Sequence, residues 1–243
     1  MNYLISLSFD GGAYHGWQIQ KNAVSVQECV EKACAALFGI RTTVYGCSRT
    51  DTGVHANCFM ANFHQDKQLR PEAVVSALNF YLPQDIAVKR CSVVDESFNA
   101  RFSCVSKEYV YKIYNSPIRD PFYLGRALHY RLPLDEKQLN LQAQDFVGKH
   151  DFSALRAMGS TVKTTVRTVQ YASVERQNEL VIFRVAADGF LYNMVRIMAG
   201  TLLYISEGKI PPDSIPDIIH SKDRLRAGKT LPPEGLYLNK VCY

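Results

Sequence analysis

Five consecutive residues, Arg49-Thr50-Asp51-Thr52-Gly53, place a permanent cation two positions before a carboxylate and a glycine two positions after it. Arginine stays protonated at any working pH, and a nearby arginine favours the ionised form of an aspartate. An ionised aspartate can act as a nucleophile or as a base. Gly53 permits a tight backbone turn directly behind the acid. The flanking residues, 42–47 and 57–63, read as strands, so Arg49 and Asp51 belong to a loop at a sheet edge and can converge on one cavity. Loops held by a rigid scaffold commonly carry catalytic groups. His55 is near enough to lend polar support. The plainer reading is a turn and nothing more, since Asp and Gly are common turn residues, and the local pattern alone fits it well.

Such a loop needs regular elements to hold it. Ile5, Leu7 and Phe9 alternate with Ser6 and Ser8 at the two-residue period of a strand, which Asp10-Gly11-Gly12 then breaks. Ser25 with Glu28 forms a capping-box pattern ahead of Val26, Val30, Ala33 and Leu37 at helical spacing, and Gly39 closes that helix. Residues 71–81 read as a helix opened by Pro71, and residues 86–94 as a strand. The order β-α-β-β-α-β is that of the ferredoxin-like split βαβ arrangement. The second half partly echoes it. Residues 107–114 alternate as a strand, and Asp135 can cap a helix carrying Leu139, Ala143, Phe146 and Val147. Residues 165–174 and 180–187 read as paired strands with a turn near Gln177-Asn178. Residues 191–205 form an apolar helix ended by Gly208, and 236–241 a strand able to close the sheet. The expected fold class is α+β, built of two ferredoxin-like, RRM-like halves. The polar stretch 95–101 suggests a division into residues 1–103, carrying Asp51, and residues 104–243.

Composition sets bounds on function. A chain of 243 residues, 47% apolar and 21% charged, suits one large or two small globular domains and carries no sign of disorder. No stretch approaches the roughly 18 continuous apolar residues of a membrane span. The opening Met1-Asn2-Tyr3-Leu4-Ile5-Ser6 has neither the basic start nor the long apolar run of a signal peptide, so the expected location is the cytoplasm, with no membrane partner. The seven cysteines include no C-x-x-C and are scattered over apolar segments, which fits reduced, buried thiols rather than a disulfide framework or a zinc site. There is no Gly-rich nucleotide fingerprint, no P-loop and no cluster of metal ligands, so no cofactor and no metal are expected. A net charge of +5 and a pI near 8.8 permit a polyanionic partner without requiring one.

Gly46-Cys47-Ser48-Arg49-Thr50-Asp51-Thr52-Gly53-Val54-His55-Ala56 resembles, nearly position for position, the signature around the essential aspartate of the TruA-type tRNA pseudouridine synthases. Asp10-Gly11-Gly12-Ala13-Tyr14-His15-Gly16-Trp17-Gln18 looks like the opening segment of that family, and Ser25-Val26-Gln27-Glu28 like its first helix start. Phe98-Asn99-Ala100-Arg101-Phe102-Ser103 and Lys107-Glu108-Tyr109-Val110-Tyr111 resemble the stretch that joins its halves. His150-Asp151-Phe152-Ser153, Val166-Arg167-Thr168, Gly189-Phe190-Leu191-Tyr192-Asn193-Met194-Val195-Arg196 and Pro232-Pro233-Glu234-Gly235-Leu236-Tyr237-Leu238 are similar to its C-terminal motifs. The resemblance thus spans almost the whole chain.

The resemblance implies a cofactor-free isomerase that converts uridine to pseudouridine at positions 38, 39 and 40 of the tRNA anticodon stem-loop. It further implies a homodimer whose subunits form a cleft for tRNA, with the antiparallel sheets of the two halves joined into one extended sheet around a central cleft. Residue by residue, Asp51 matches the essential aspartate, the catalytic nucleophile that attacks the sugar or the pyrimidine ring, or else assists proton loss from the sugar, and Arg49 an arginine that takes the space of the flipped base and fixes Asp51. Tyr109 matches the tyrosine that stacks on the target base, and Arg196 an arginine that pairs with the aspartate from the second half. Plainer readings stand beside these: Tyr109 as a core aromatic, and Arg196 as a snorkelling arginine at a helix edge. Yet Arg196 lies between Val195 and Ile197 in an apolar helix, where a charge needs a partner, and Asp51 is the natural candidate. RNA contacts are expected among Lys21, Arg41, Lys67, Arg70, Arg156 and Lys163. Two departures from the family pattern are visible. Ile19 stands where an arginine is common, removing a phosphate contact, and Thr52 replaces a common alanine, altering packing beside Asp51.

Three rival readings remain in view. Asp51-Thr52-Gly53 also reads as the D-T-G of an aspartic protease, but there is no second D-T-G or D-S-G, and Arg49 would oppose the shared proton such a dyad needs. A non-catalytic RNA-binding protein could stack bases on Tyr109, Tyr111 and Phe59. A synthase of the same chemistry could act on other RNA positions, because target choice depends on the shape of the RNA cleft.

Overall fold

A computed structural model describes residues 1–159 and 162–243. In chain order the described residues form β1 (Asn2–Phe9), α1 (Val26–Phe38), β2 (Tyr45–Gly46), β3 (His55–His64), α2 (Pro71–Tyr81), β4 (Ile86–Val94), β5 (Ser106–Asn115), β6 (Leu128–Tyr130), α3 (Glu136–Gln144), β7 (Gly148–Asp151), β8 (Val166–Gln177), β9 (Leu180–Ala187), α4 (Met194–Ser206), α5 (Ile215–Ser221) and β10 (Leu236–Cys242). The architecture is mixed, with mostly antiparallel strand pairs and five α-helices among the described residues. It divides into two compact units: Met1–Val105 with Tyr237–Tyr243, and Ser106–Leu236. The division expected at 103/104 lies two residues from the first crossing. The second crossing, at 236/237, has no counterpart in that expectation. It arises because β10 runs parallel to β3, with Tyr237 opposite His55 and Leu238 opposite Ala56.

In the first unit β1 lies between β3 and β4 and is antiparallel to both, with Ile5 opposite Ala61 and Cys91. The other edge of β3 is shared: β2 pairs with Asn62 and Ala61, and β10 with His55 and Ala56. The order β4-β1-β3-β2 is the expected split βαβ arrangement. The strand expected over 42–47 shrinks to two residues, because Val44 bonds to α1 instead of to a strand. Its amide donates to Glu31 Oε1 at 3.1 Å and its carbonyl accepts from Gln27 Nε2 at 3.0 Å. The capping of α1 follows the sequence: Ser25 Oγ accepts from the Glu28 amide, and Gly39 ends the helix at φ 77°. Phe38 closes the core against Tyr3 and Phe63, at ring-centroid distances of 6.3 and 5.8 Å. Each such ring, fully buried, contributes about 1.5–3 kcal/mol.

A polar network ties the 95–103 segment to this sheet. Asn62 Nδ2 donates to Asn2 Oδ1 at 2.9 Å, and its Oδ1 accepts from the Ala100 amide at 2.8 Å. Asn2 Nδ2 donates to the carbonyls of Asp95 and Phe98, each at 2.9 Å. Both asparagines are fully buried, so every one of these bonds replaces lost water.

In the second unit β9 lies between β5 and β8, with Arg184 opposite Val110 and Ser173, and β7 continues the ladder from β8. Asp135 caps α3 by accepting from the Lys137 and Gln138 amides. The helix stops at Gln144, so Phe146 is buried from the following turn rather than from the helix. Helix α4 begins at Met194, three residues later than expected, because Asn193 takes a left-handed φ of 59°. No described helix is long and apolar enough to cross a membrane.

Candidate active site

Asp51 lies on the loop between β2 and β3 and is half-buried, with Arg49 exposed and Thr50 buried. The loop closes on itself where the Val54 amide donates to the Asp51 carbonyl at 3.1 Å. It is braced from behind by the 10–18 segment, to which the sequence assigns no strand or helix. The Gly53 amide donates to the Tyr14 carbonyl at 3.2 Å, and the Trp17 amide to the Thr50 carbonyl at 3.4 Å. Gly16, at φ 78°, presses its Cα so close that a Cβ there would stand 2.1 Å from the Thr50 oxygen and 3.2 Å from the Asp51 carbonyl carbon. The brace is itself anchored. Its Gly16 and Trp17 carbonyls accept from the first amides of α1, those of Val26 and Gln27, at 3.1 and 3.0 Å. The Trp17 ring stacks on Phe59 at 4.0 Å.

His55, expected as polar support, is 2% exposed and is part of this frame. Its Nδ1 faces the Gly11 amide at 3.0 Å and Asp10 Oδ1 at 3.1 Å, and its ring stacks on Tyr237 at 4.6 Å. A neutral ring accepts from Gly11, and a protonated ring donates to Asp10, so the start of β3 is held in either state.

The other two candidates belong to the second unit. Tyr109 lies on β5 opposite Val185, is 7% exposed, and meets Phe190 edge-on at 5.1 Å. Arg196 occupies the first turn of α4 and is half-buried. Its Nε donates to the Leu231 carbonyl at 2.6 Å and its Nη1 to Asn193 Oδ1 at 2.7 Å, while the Leu231 amide donates back to the Arg196 carbonyl at 3.3 Å. The partners that a charge in an apolar helix requires therefore include Leu231 and Asn193, which the sequence reading did not name. Leu231 is 35 residues away, and a backbone carbonyl leaves no mark in a sequence. The segment holding Leu231 lies flat on α4 because Gly228 meets Gly200: a Cβ on Gly228 would stand 2.3 Å from the Gly200 carbonyl carbon. The Gly228 amide donates to Thr201 Oγ1 at 3.0 Å, and that hydroxyl donates to the Ile197 carbonyl at 2.8 Å.

The structure thus keeps Arg49 and Asp51 together on one braced loop of the first unit, and places Tyr109 and Arg196 on β5 and α4 of the second. Phe59 and Tyr111, considered above as stacking surfaces, are fully buried. Tyr111 is a strut: its hydroxyl donates to the Pro232 carbonyl at 2.7 Å, and burial pushes that phenol far above its usual range. Of the basic candidates, Lys21, Arg41, Lys67, Arg70 and Lys163 are exposed and Arg156 is half-buried. Ile19 and Thr52 are both exposed, so Thr52 adds little packing beside Asp51. No three His, Cys, Asp or Glu side chains gather as a metal site among the described residues.

The sequence profile of a family described as tRNA pseudouridine synthase matches residues 5–103 and 142–243. The chain is 46% identical over 242 residues to the tRNA pseudouridine synthase A of Acetivibrio thermocellus, covering 100% of this chain and 99% of that one. It is 44% identical over 242 residues to the enzyme of that name from Thermoanaerobacter sp., with coverage of 100% and 99%. A third relative of the same name, from Ruminiclostridium cellulolyticum, is 44% identical over 240 residues, covering 98% of each chain. This chain belongs to the tRNA pseudouridine synthase family.

Proposed function

We propose that this protein isomerises uridine to pseudouridine at positions 38, 39 and 40 of the tRNA anticodon stem-loop, with Asp51 as the catalytic nucleophile. The observation that carries the reading is the Asp51 loop, whose main chain is braced by backbone contacts around a half-buried aspartate, in a member of this family. The reaction breaks the C1'–N1 glycosidic bond, rotates the uracil and forms C1'–C5, and the C5 proton finally moves to N1. No electrons or groups are gained or lost. Attack at C1', attack at C6 and removal of a sugar proton all require the same thing, an ionised carboxylate held against the nucleotide. Arg49 fills the space that the extruded uridine leaves and steadies Asp51. Extrusion costs a few kcal/mol, which a cation and a receiving aromatic surface offset. Tyr109 provides that surface, and the base must displace whatever now covers the ring. Arg196, oriented by Leu231 and Asn193, supplies the second cation. The protein works on tRNA in the cytoplasm as a homodimer, and light scattering on the purified chain tests the dimer.

The deciding experiment is pseudouridine mapping by carbodiimide-stop sequencing on tRNA transcripts treated with wild type or Asp51→Asn. The expected result is signal in the anticodon stem-loop with wild type only. Signal from both proteins would remove Asp51 from the chemistry. Signal outside positions 38–40 would reassign the target, and binding without any signal would favour a non-catalytic RNA-binding protein.

A further inference from the structure

The 10–18 motif carries a buried phenol, Tyr14, that the proposed chemistry does not use. Tyr14 is 5% exposed, and its hydroxyl donates to Asp85 Oδ1 at 2.5 Å. Asp85 stands just before β4, and its backbone carbonyl accepts from the Asp10 amide at 2.9 Å. One residue therefore grips the brace at two points, through its main chain at Asp10 and through its carboxylate at Tyr14. The Tyr14 carbonyl in turn accepts from the Gly53 amide, two residues beyond Asp51. Burial, together with the Asp85 carboxylate, pushes the phenol well above its usual range, so it remains a donor throughout the working pH range.

We propose that the Tyr14–Asp85 pair is a positioning device for catalysis: it fixes the brace on the end of β4 so that the Tyr14 carbonyl sets the place of Gly53 and hence of Asp51. The inference rests on the reading of Asp51 as the reacting carboxylate. The brace has no ladder or helix of its own, so its location depends on such tie points. Cutting the side-chain tie leaves the main-chain bonds of Asp10, Gly11, His15 and Trp17 in place and loosens the brace at Tyr14, whose carbonyl meets Gly53.

The test compares wild type with Tyr14→Phe, Asp85→Ala, Asp85→Asn and the double variant Tyr14→Phe/Asp85→Ala. Four readouts are taken: single-turnover pseudouridine formation on a tRNA transcript, Kd for that tRNA, thermal unfolding, and amide exchange of the peptide covering residues 48–56. Tyr14→Phe and Asp85→Ala are each expected to slow the chemical step about tenfold, with Kd within about twofold of wild type and faster exchange at 48–56. The double variant should be no slower than either single one, since both cut the same tie. Asp85→Asn, whose Oδ1 still accepts from the phenol, should stay within about threefold of wild type. Wild-type rates in Tyr14→Phe and Asp85→Ala, or losses that multiply in the double variant, would overturn the proposal. So would a rate loss that Kd and unfolding temperature follow in proportion, because that pattern marks a general structural role. An inactive wild type would overturn the Asp51 reading together with this one, whereas an active wild type with indifferent variants sinks this one alone.

Discussion

Gly16 is one point where the brace meets the Asp51 loop, and adding one methyl group there should separate stability from catalysis. Two costs arise. Its φ of 78° is left-handed, which costs an L-residue about 1–2 kcal/mol. The new Cβ would also stand 2.1 Å from the Thr50 oxygen, where carbon and oxygen rest at about 3.3–3.6 Å. The loop and the brace must then part by more than about 1 Å, and overpacking of this kind costs a further 1–3 kcal/mol or so. Gly39 supplies the matched control: its φ is 77°, but nothing lies within 4 Å of a Cβ built there. Gly39→Ala pays for the backbone only.

Gly39→Ala should lower Tm by about 2–8 °C and leave pseudouridine formation unchanged. Gly16→Ala should lose about 2–5 kcal/mol by urea denaturation. Its single-turnover rate, corrected for the folded fraction, should fall about 10²-fold, the usual cost of misplacing a reacting group by 1 Å. Rate and unfolding measured on both variants decide the matter. A Gly16→Ala protein that turns over within threefold or so of Gly39→Ala would refute the idea that this contact sets the position of Asp51.

Two further perturbations test other parts of the structure. Arg196→Ala should slow the chemical step by about 10–100-fold while tRNA Kd stays within about threefold, measured by single turnover and filter binding. Arg196→Lys should rescue little of the rate, since one ammonium cannot reproduce the guanidinium's separate bonds to Leu231 and Asn193. The second concerns Asp151. Thr165, most of all, then Lys222 and Ser153, hold its carboxyl at about 2, below its ordinary 3.8. A depressed folded value means that the stabilisation is complete above pH 4 or so and is lost as pH falls through about 2. The stability deficit of Asp151→Asn relative to wild type, read from urea curves, should be full at pH 7 and smaller at pH 3; an equal deficit at both would contradict the assignment. With the carboxylate 27% and Lys222 61% exposed, the deficit should be modest.

The elements with strong local signals were legible in the sequence. Helix α2 starts at its proline, α1 is bounded by Ser25 and Gly39, and β4 spans the expected residues. Errors fell where tertiary contacts overrode local pattern. Val44 looks like a strand residue but spends its backbone bonds on Glu31 and Gln27 of α1. Phe146 and Val147 keep the helical period, yet α3 has already ended. The return of residues 237–243 to the first unit could not be read, because strand pairing over such a distance has no local signature. Of the candidate site, the residue types were legible and their supports were not. Asp51 stands out by its neighbours Arg49 and Gly53, whereas the Tyr14 carbonyl, the Leu231 carbonyl and the Asp85 grip are contacts of backbone or of remote residues.

The supports share a physical logic in the two units. In the first, a coil segment lies against the loop of Asp51, and the close approaches are made by glycines: a Cβ would stand 2.0 Å from the Val54 oxygen at Gly11 and 2.1 Å from the Thr50 oxygen at Gly16. In the second, a coil segment lies against the helix of Arg196, and the closest approach is again made by glycines, Gly200 and Gly228. In each case removing a side chain lets two main chains meet, and a carbonyl one to three residues from the contact then bonds within the site: Tyr14 to the Gly53 amide, Leu231 to the Arg196 guanidinium. A backbone carbonyl has no rotamers to order, and its position is set by the covalent chain on both sides. It therefore holds a functional group more tightly than a surface side chain could, and loses less entropy in doing so. In both places glycines and peptide groups do the positioning. This division accounts for the glycines of segments 10–18 and 227–231, which lie against the loop of Asp51 and the helix of Arg196.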